Sequence, residues 1–491
     1  LNISQSAAQR SDVVDAESAA QNAIGRLDGS DHSERAELLQ IIATSFEAGV
    51  DMPFDTMFAG QSLQRLRLPK TPFQRKTFWV TDPGSVQVSA PTAQQHTYLK
   101  PVFEKFETTL KEGQSTPFIA IAAPGYDRRL GQTLRDKAET FWEISANIDN
   151  TELGVALTDL LSRNQCLIWL APKPSEIAPT SEMVTAQIHG VELLFRALKE
   201  MVAQGQGARP LDLTVITQQT MKVHNETIYP EQASIHGFVG SINREMHRWQ
   251  LKVIDLPLSL QPDEALIAGL SKLPQDGVGV SFAFRNPTKH GLGNWYRHRL
   301  IETQIDAIQD QTAYRQGGVY VVLGGAGGLG RAWSEYVIRQ YGAQVIWLGR
   351  RAIDSDIKAA QAALSEFGPC PDYFSVDAND PQALSQIQRQ IRQRFGPVNG
   401  FVHSAITLRD ASVATMSYTD FQDALHAKVD LSVHAIEAFF AEPFDFVLFF
   451  SSMIAFTPSP GQSNYAAGCA FKDAFATALR PQLNCPVKVM N

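Results

Sequence analysis

The sequence predicts an α/β protein: two successive parallel-sheet units behind an N-terminal helix and an extended linker. Three observations predict it. From about Tyr98 onward, short apolar runs alternate with longer amphipathic stretches, the pattern of strands in a parallel sheet covered by helices. The alternation runs through the chain twice, and only the second run carries a glycine-rich loop after its first strand. Ahead of both lies a stretch rich in proline, serine and glutamine that suits neither helix nor strand.

Composition sets the frame. A chain of 491 residues is long enough for roughly two to four domains. Apolar residues make up 44% and charged ones 19%, a globular balance. The net charge is -8 with no basic block, which argues against nucleic acid as a partner. No apolar run approaches ~20 residues, and no basic-then-apolar leader opens the chain. Cys166, Cys370, Cys469 and Cys485 lie far apart with no metal-type spacing, so no metal is expected. They read as reduced thiols in a cytoplasmic protein.

Residues 1–35 are polar and rich in Ala, Ser and Asp, like a linker or the edge of a larger chain. Residues 34–49 carry apolar side chains at helical spacing: Ala36, Leu38, Leu39, Ile41, Ile42 and Phe46. Gly49-Val50-Asp51 follows, then a segment from Leu68 through Pro69, Pro72 and Phe73 to Phe78 and Trp79. Two prolines so close together favour an extended strap. Residues 82–96 form the clearest linker.

In the first α/β run, strands are expected at Phe118–Ala122, Cys166–Leu170, Leu211–Thr217 and Lys252–Asp255. A long amphipathic helix is expected over 185–203 and another over Phe238–Trp249. Pro124-Gly125-Tyr126 stands where a phosphate loop would, so this run resembles a nucleotide-binding fold without its ligand.

The second run opens with strand Val319–Leu323, which leads into Gly324-Gly325-Ala326-Gly327-Gly328-Leu329-Gly330 and a helix. A Cβ at such glycines blocks the tight turn and holds the backbone away from a pyrophosphate. The helix behind presents free N–H groups and a positive dipole end. A second strand, Gln344–Leu348, follows at βαβ distance. Dinucleotide binding is the reading, against a purely structural glycine turn. That strand ends in Gly349-Arg350-Arg351. Two arginines suit a 2′-phosphate, where an acidic residue would suit a free ribose, so NADPH is expected as cofactor. A third strand runs from Tyr373 and ends at Asp377, placed for the adenine amino group. A fourth, Gly400–Ala405, ends beside the expected nicotinamide ribose, with His403 read as packed rather than catalytic.

The next strand, Phe446–Phe450, ends in Ser451 and Ser452, and Tyr465 opens the following helix. A strand-end serine and such a tyrosine can meet one carbonyl oxygen at the carboxyl edge of the sheet. Hydride reduction of a ketone puts negative charge on oxygen, so it needs a proton donor and a hydrogen-bond partner. A phenol needs its pKa lowered from about 10, which a nearby ammonium does. Short-chain reductases often keep a lysine four residues after the tyrosine. Here that residue is Cys469, and Lys428 is the candidate instead, read as lying on the helix before the serine strand.

These residues, with the run Gly461-Gln462-Ser463-Asn464-Tyr465-Ala466-Ala467, make residues 98–491 resemble the ketoreductase region of a type I modular polyketide synthase. That region belongs to the short-chain dehydrogenase/reductase superfamily. The resemblance implies two Rossmann-like subdomains: a cofactor-free structural one at 97–314 and a catalytic, NADPH-binding one at 315–491. Residues 1–96 resemble the linker after an acyltransferase. It also implies Lys428, Ser452 (rather than Ser451) and Tyr465 as catalytic residues. Ser404 and Ala405 would join the loop 324–330, Arg350, Arg351 and Asp377 around the cofactor. The implied substrate is a β-ketoacyl chain on the phosphopantetheine arm of an acyl carrier protein. The implied neighbours are ketosynthase and acyltransferase domains of a dimeric, cytoplasmic synthase for secondary metabolites. Asp410, in Leu408-Arg409-Asp410, with Thr457 eight residues before Tyr465 and with Gln462, resembles the subtype that gives D-configured hydroxyls. The sequence departs from the family at Cys469, where an asparagine is common, and at Ile406, where glycine is usual. The family continues past Asn491 with another strand and a lid helix, so the chain reads as a piece of something longer. Two other readings stand beside an active reductase: a silent structural domain, favoured by Cys469 and Ile406, and a free-standing alcohol dehydrogenase, opposed by the cofactor-free first half.

Overall fold

The computed structural model describes residues 18–27, 31–47, 50, 98–106, 117–175, 178–260, 270, 281–286, 293–303 and 312–491. The proline strap, the 82–96 linker, Gly49 and Asp51 lie outside the described residues. Two compact units are present, Leu1–Gln94 and Gln95–Asn491. In the first, helix α1 (His32–Glu47) buries Leu38 and Ile42 with Ala20, Ala23, Leu27 and Val50. Leu39, Ile41 and Phe46 are exposed, so only part of the anticipated apolar face is used.

The second unit holds two sheets. One has strands β1 (Tyr98–Phe106), β2 (Ile119–Ala122), β3 (Thr140–Glu143), β4 (Cys166–Leu170), β5 (Leu211–Gln218), β6 (Trp249–Leu256), β7 (Ser281–Arg285) and β8 (Asn294–Thr303). Their order is β1-β8-β7-β6-β5-β4-β2-β3. The pairings from β3 through β7 are parallel, and β8 joins β7 and β1 antiparallel. This mixed edge was not anticipated: β1 has no buried residue and contains a proline, and β8 breaks its apolar residues with charged ones, so neither reads as a buried apolar run. The helix expected over 185–203 is two helices, α2 (Ser181–His189) and α3 (Val191–Ala203), broken at Gly190. A Cβ on Gly190 would lie 2.2 Å from the Gln232 amide oxygen, so the break makes room for a buried polar side chain. Helix α4 spans Ser234–Glu245, and Trp249, expected at its end, starts β6 instead.

The other sheet is wholly parallel: β9 (Val319–Leu323), β10 (Gln344–Gly349), β11 (Asp372–Ser375), β12 (Gly400–His403), β13 (Phe446–Phe450) and β14 (Val487–Met490). Its order, β11-β10-β9-β12-β13-β14, reverses direction between β9 and β12. Ligands of open parallel sheets bind outside the carboxyl ends at such a switch point. Helices α5 (Gly328–Tyr341), α6 (Ser355–Ser365), α7 (Pro381–Phe395), α8 (Tyr418–His426), α9 (Asp430–Phe439) and α10 (Ser463–Leu479) complete this half. Helix α5 ends at Gly342, whose φ of +56° takes the left-handed cap position.

The two halves meet through α4 and α10, and a Cβ on Gly237 of α4 would lie 2.0 Å from the Ala466 carbonyl oxygen. Phe195 of α3 and Phe238 of α4 pack against Phe421 of α8. Buried Glu192 of α3 accepts hydrogen bonds from Tyr418 and Gln422 and pairs with His426. Burial works to raise the Glu192 pKa, but these partners outweigh it and the carboxyl stays below its ordinary value. Helices of the first sheet's half thus pack against α8 and α10 of the second.

Candidate active site

The loop after β9 turns on Gly324, at φ +80°. A Cβ there would lie 2.7 Å from the Ala405 backbone, and one on Gly325 would lie 2.1 Å from the buried Trp347 ring. Gly330 is equally closed in, whereas nothing stands within 4 Å of a Cβ on Gly328. Helix α5 starts at Gly328 with no side-chain cap, which leaves its N-terminal end for an anion. Leu329 points to solvent at 58% exposure.

Beside this loop lies a groove of about 330 Å³ lined by Gly324, Ala326, Gly327, Arg350, Arg351, Asp377, Ser404 and Ala405, among others. Arg351 is held by Asp354 at 3.2 Å and Asp356 at 3.4 Å. Asp377 lies beyond the end of β11, not at its last residue, and its carboxylate accepts from the Asn379 N–H at 3.0 Å. Ser404 donates from Oγ to the Leu323 carbonyl at 3.0 Å, which ties β12 to the switch point. The groove fits a dinucleotide by its chemistry: a glycine cradle, an uncapped helix start and two guanidinium groups in its lining.

Tyr465 opens α10 at the carboxyl end of β13. The Ser452 hydroxyl and the Cys469 thiol lie near enough to bear on its hydroxyl. Ser452 has extended backbone, and its N–H donates to Asn491 Oδ1 at 3.0 Å. The Lys428 ammonium lies 5.0 Å from the centre of the Tyr465 ring, over its face, and donates to the Phe450 carbonyl at 3.4 Å. Lys428 is 2% exposed. It stands in the turn between α8 and α9, not within a helix as read from the sequence. There its N–H bonds to the Leu425 carbonyl, and Gly468 of α10 leaves space for its stem.

One expectation about charge is corrected. The phenol of Tyr465 is raised, not lowered, by burial first and then by Cys469, with Ser452 acting the other way. Lys428 sits over the ring face, so it meets the phenol as a cation near a π system and the group stays protonated. Burial also pulls the Lys428 ammonium below its usual value.

The loop before α8 is tied to the residues that precede Tyr465. Asp410 Oδ2 accepts from Gln462 Nε2 at 2.7 Å, and the Asn464 amide donates to the Arg409 carbonyl at 2.8 Å. Glu245, from the first sheet's half, holds both sides: it accepts from the Val413 N–H at 2.7 Å and the Gly461 N–H at 3.3 Å. Thr457 lies apart from this pair. Its hydroxyl donates to the Met453 carbonyl, and it lines a second cavity of about 770 Å³. Ile406 is 54% exposed at the groove rim.

Sequence reasoning missed three groups here. Lys472 is 0% exposed, donates to the Phe450 carbonyl at 3.2 Å and meets His403 Nδ1 at 3.1 Å. Asp473 buries both carboxyl oxygens without a hydrogen bond. Glu245 reaches across from the other half. His403, expected to be packed rather than catalytic, is fully buried with its ring against Lys472. The readable signal was Lys472-Asp473 within an otherwise apolar helix, since a helix apolar on all sides is buried. Among the described residues no cluster could hold a metal ion, and no helix is long and apolar enough to cross a membrane.

Comparison with known proteins gives the family. Residues 318–491 match the family model of the KR domain. Polyketide synthase PksN of Bacillus subtilis (strain 168) is 40% identical over 327 residues, 66% of this chain and 6% of that protein. Polyketide synthase ThaG of Burkholderia thailandensis is 39% identical over 344 residues, 70% of this chain and 6% of that protein. The chain therefore spans a small part of the curated relatives it matches. An N-terminal ketoreductase from the macrolactin assembly line shares the fold, with a TM-score of 0.64 at 18% identity, over 79% of this chain and 80% of that one. A KR domain fills residues 318–491, and the chain belongs to the ketoreductase regions of type I polyketide synthases.

Proposed function

We propose that the chain reduces a β-ketoacyl thioester, tethered to an acyl carrier protein, to a β-hydroxyacyl thioester with NADPH. The observation that carries this reading is the convergence of Ser452, Tyr465 and buried Lys428 at the end of β13. The dinucleotide groove lies at the end of β9 and β12 in the same sheet.

NADPH would be held by the loop 324–330, Arg350, Arg351, Asp377, Ser404 and Ala405, and supplies a hydride when bound. The chain does the rest. Ser452 and Tyr465 hydrogen-bond the ketone oxygen and gather the charge that builds there. A phenol kept protonated by burial is ready to donate as that oxygen becomes basic. The Lys428 ammonium, 5.0 Å from the ring centre, then stabilises the phenolate left behind. Asp410 and Gln462, locked together at 2.7 Å, border the entry to Tyr465 and set which face of the ketone is presented, giving the D-configured hydroxyl. The parent synthase would supply the carrier protein, a phosphopantetheine arm and the ketosynthase and acyltransferase neighbours, within a cytoplasmic homodimer.

The test is loss of reduced-nicotinamide absorbance in the full chain with an N-acetylcysteamine β-ketothioester. Turnover that disappears in Tyr465→Phe supports the proposal. NADPH binding with no turnover supports a silent structural domain, the reading that Cys469 and Ile406 favour.

A further inference from the structure

We propose that Lys472 is a positioning residue that ties the carboxyl end of β12 to that of β13 and fixes the Phe450 carbonyl on which Lys428 rests. The inference rests on the reductase reading of the site, because it concerns how the dinucleotide groove is aligned with Ser452 and Tyr465.

The tie is made by hydrogen bonds to two neighbouring strands. β12 and β13 pair in parallel, with His403 opposite Phe449. Lys472 is 0% exposed. It donates to the Phe450 carbonyl of β13 at 3.2 Å and meets His403 Nδ1 of β12 at 3.1 Å. One side chain therefore holds an atom at the end of each strand. The residue after His403 is Ser404, which lines the dinucleotide groove and donates to the Leu323 carbonyl. Two residues after Phe450 comes Ser452. Lys472 thus joins the wall of the groove to the strand end that carries the hydroxyl.

The peptide between Phe450 and Ser451 is held on both sides. Its carbonyl accepts from Lys428 at 3.4 Å and from Lys472 at 3.2 Å, and its N–H donates to the Met490 carbonyl at 2.8 Å. Rotation of this peptide would displace Ser452 and the anchor of Lys428 together. The thiol of Cys469, a turn earlier on α10, is a weak donor and acceptor, so Lys472 is the strong polar anchor that this part of the helix offers to β13. Aromatic rings enclose the tie. The His403 and Phe449 ring centres are 6.1 Å apart, and Phe475, three residues after Lys472, lies 6.0 Å from Phe449. In such apolar surroundings a hydrogen bond is stronger than in water, and its loss leaves buried polar groups unpaired.

The charges around it fit a positioning role. Asp473, next in the chain, forms no hydrogen bond from either carboxyl oxygen. His403 is held neutral by burial and then by the two lysines. Two ammonium groups on one carbonyl disfavour each other's charge. The charge settles on Lys428, whose nitrogen has the Tyr465 ring face 5.0 Å from it at the centre. Burial and then Lys428 pull Lys472 well below the ordinary lysine range. Lys472 therefore grips as an uncharged amine, which keeps N–H groups for both acceptors, and leaves Lys428 as the one cation beside the phenol.

The test is single-turnover reduction of an N-acetylcysteamine β-ketothioester by the full chain loaded with NADPH. In Lys472→Met, whose side chain fills the same space and grips neither strand, the rate falls about tenfold or more. NADPH affinity and the steady-state KM for the thioester change little, because the variant alters alignment and not the binding surfaces. Lys472→Gln keeps an uncharged donor and loses less rate than Lys472→Met. A readout independent of turnover is the NMR signal of the Lys472 ε-carbon in chain grown with isotope-labelled lysine, assigned by its loss in either variant. At neutral pH it should report an uncharged amine, and an ammonium signal overturns the arrangement. Wild-type rate in a folded Lys472→Met overturns the positioning role. A loss of NADPH affinity equal to the loss of rate also overturns it, since that marks a general loosening of the groove. If Lys472→Met fails to fold, Lys472→Gln decides in its place by the same criteria. Absence of turnover in the wild type would instead overturn the reductase reading, with the amine signal unaffected.

Discussion

Gly468→Ala separates the placement of Lys428 from the stability of the fold. An added Cβ would lie 2.7 Å from Lys428 Cβ and 2.8 Å from Lys428 Cγ, inside ordinary contact distance. These atoms are the buried root of the side chain, so the ammonium cannot stay in place while the stem yields. Relief of the clash moves Lys428 by about 1 Å, a misplacement that costs on the order of 100-fold in rate when it reaches catalytic geometry. Stability responds to two opposed terms. Ala over Gly in a helix interior gains about 1 kcal/mol, and overpacking costs about 1–3 kcal/mol. The expected result is a melting temperature within a few degrees of wild type and a kcat lower by about 10- to 100-fold, with NADPH affinity unchanged. Thermal melts, a fluorescence titration with NADPH and steady-state turnover of a β-ketothioester read the three quantities. Wild-type kcat in a folded Gly468→Ala would refute the claim that Lys428 acts from its observed position.

Three further outcomes are expected. Arg350→Ala together with Arg351→Ala weakens NADPH binding about tenfold or more while NADH binding changes little; titration of both nucleotides checks this, and equal losses would count against a 2′-phosphate site. Burial raises the Asp473 carboxyl to about 7, above its unfolded value. The folded state therefore holds the extra proton, and stability is present at low pH and lost as pH rises toward and through about 7, by up to about 4 kcal/mol. Denaturant unfolding of Asp473→Asn should be flatter over that window, and an unchanged pH slope would contradict the assignment. Glu245→Gln gives up one acceptor to the loops at Val413 and Gly461, a loss of about 1 kcal/mol. Chiral chromatography of the product should show a less pure hydroxyl configuration, and unchanged purity would remove Glu245 from stereocontrol.

Most of the second half was legible in the sequence because local signals and global fold agree there. Val319–Leu323 is apolar throughout, the glycines follow at once, and Gly342 closes the helix. Such agreement between levels is what specifies a fold. Less was legible in the first half. The β1–β8 ribbon at its edge is only partly buried, with charged residues interrupting its apolar ones, and so lacks the signature of a buried strand. Gly190 fell inside the one helix expected over 185–203, and the buried Gln232 that accompanies the break comes from elsewhere in the chain. In the site, residue types pointed to Ser452 and Tyr465, but the turn that carries Lys428 depends on contact with Gly468, more than three dozen residues away in sequence. Lys472, Asp473 and Glu245 gain their meaning from tertiary burial, which no spacing rule reports. The sign of the Tyr465 shift was also beyond sequence, since it depends on burial outweighing a nearby ammonium.

Transfer of label from NADPH carrying deuterium at both C4 positions into the product tests the central claim most directly. With an N-acetylcysteamine β-ketothioester, mass spectrometry should find one deuterium on the β-carbon of the hydroxy product for each NADPH oxidised. The label should be absent with Tyr465→Phe, although that variant still binds NADPH. A wild-type chain that binds NADPH and leaves the ketone unlabelled would contradict the account, as would full labelling by Tyr465→Phe.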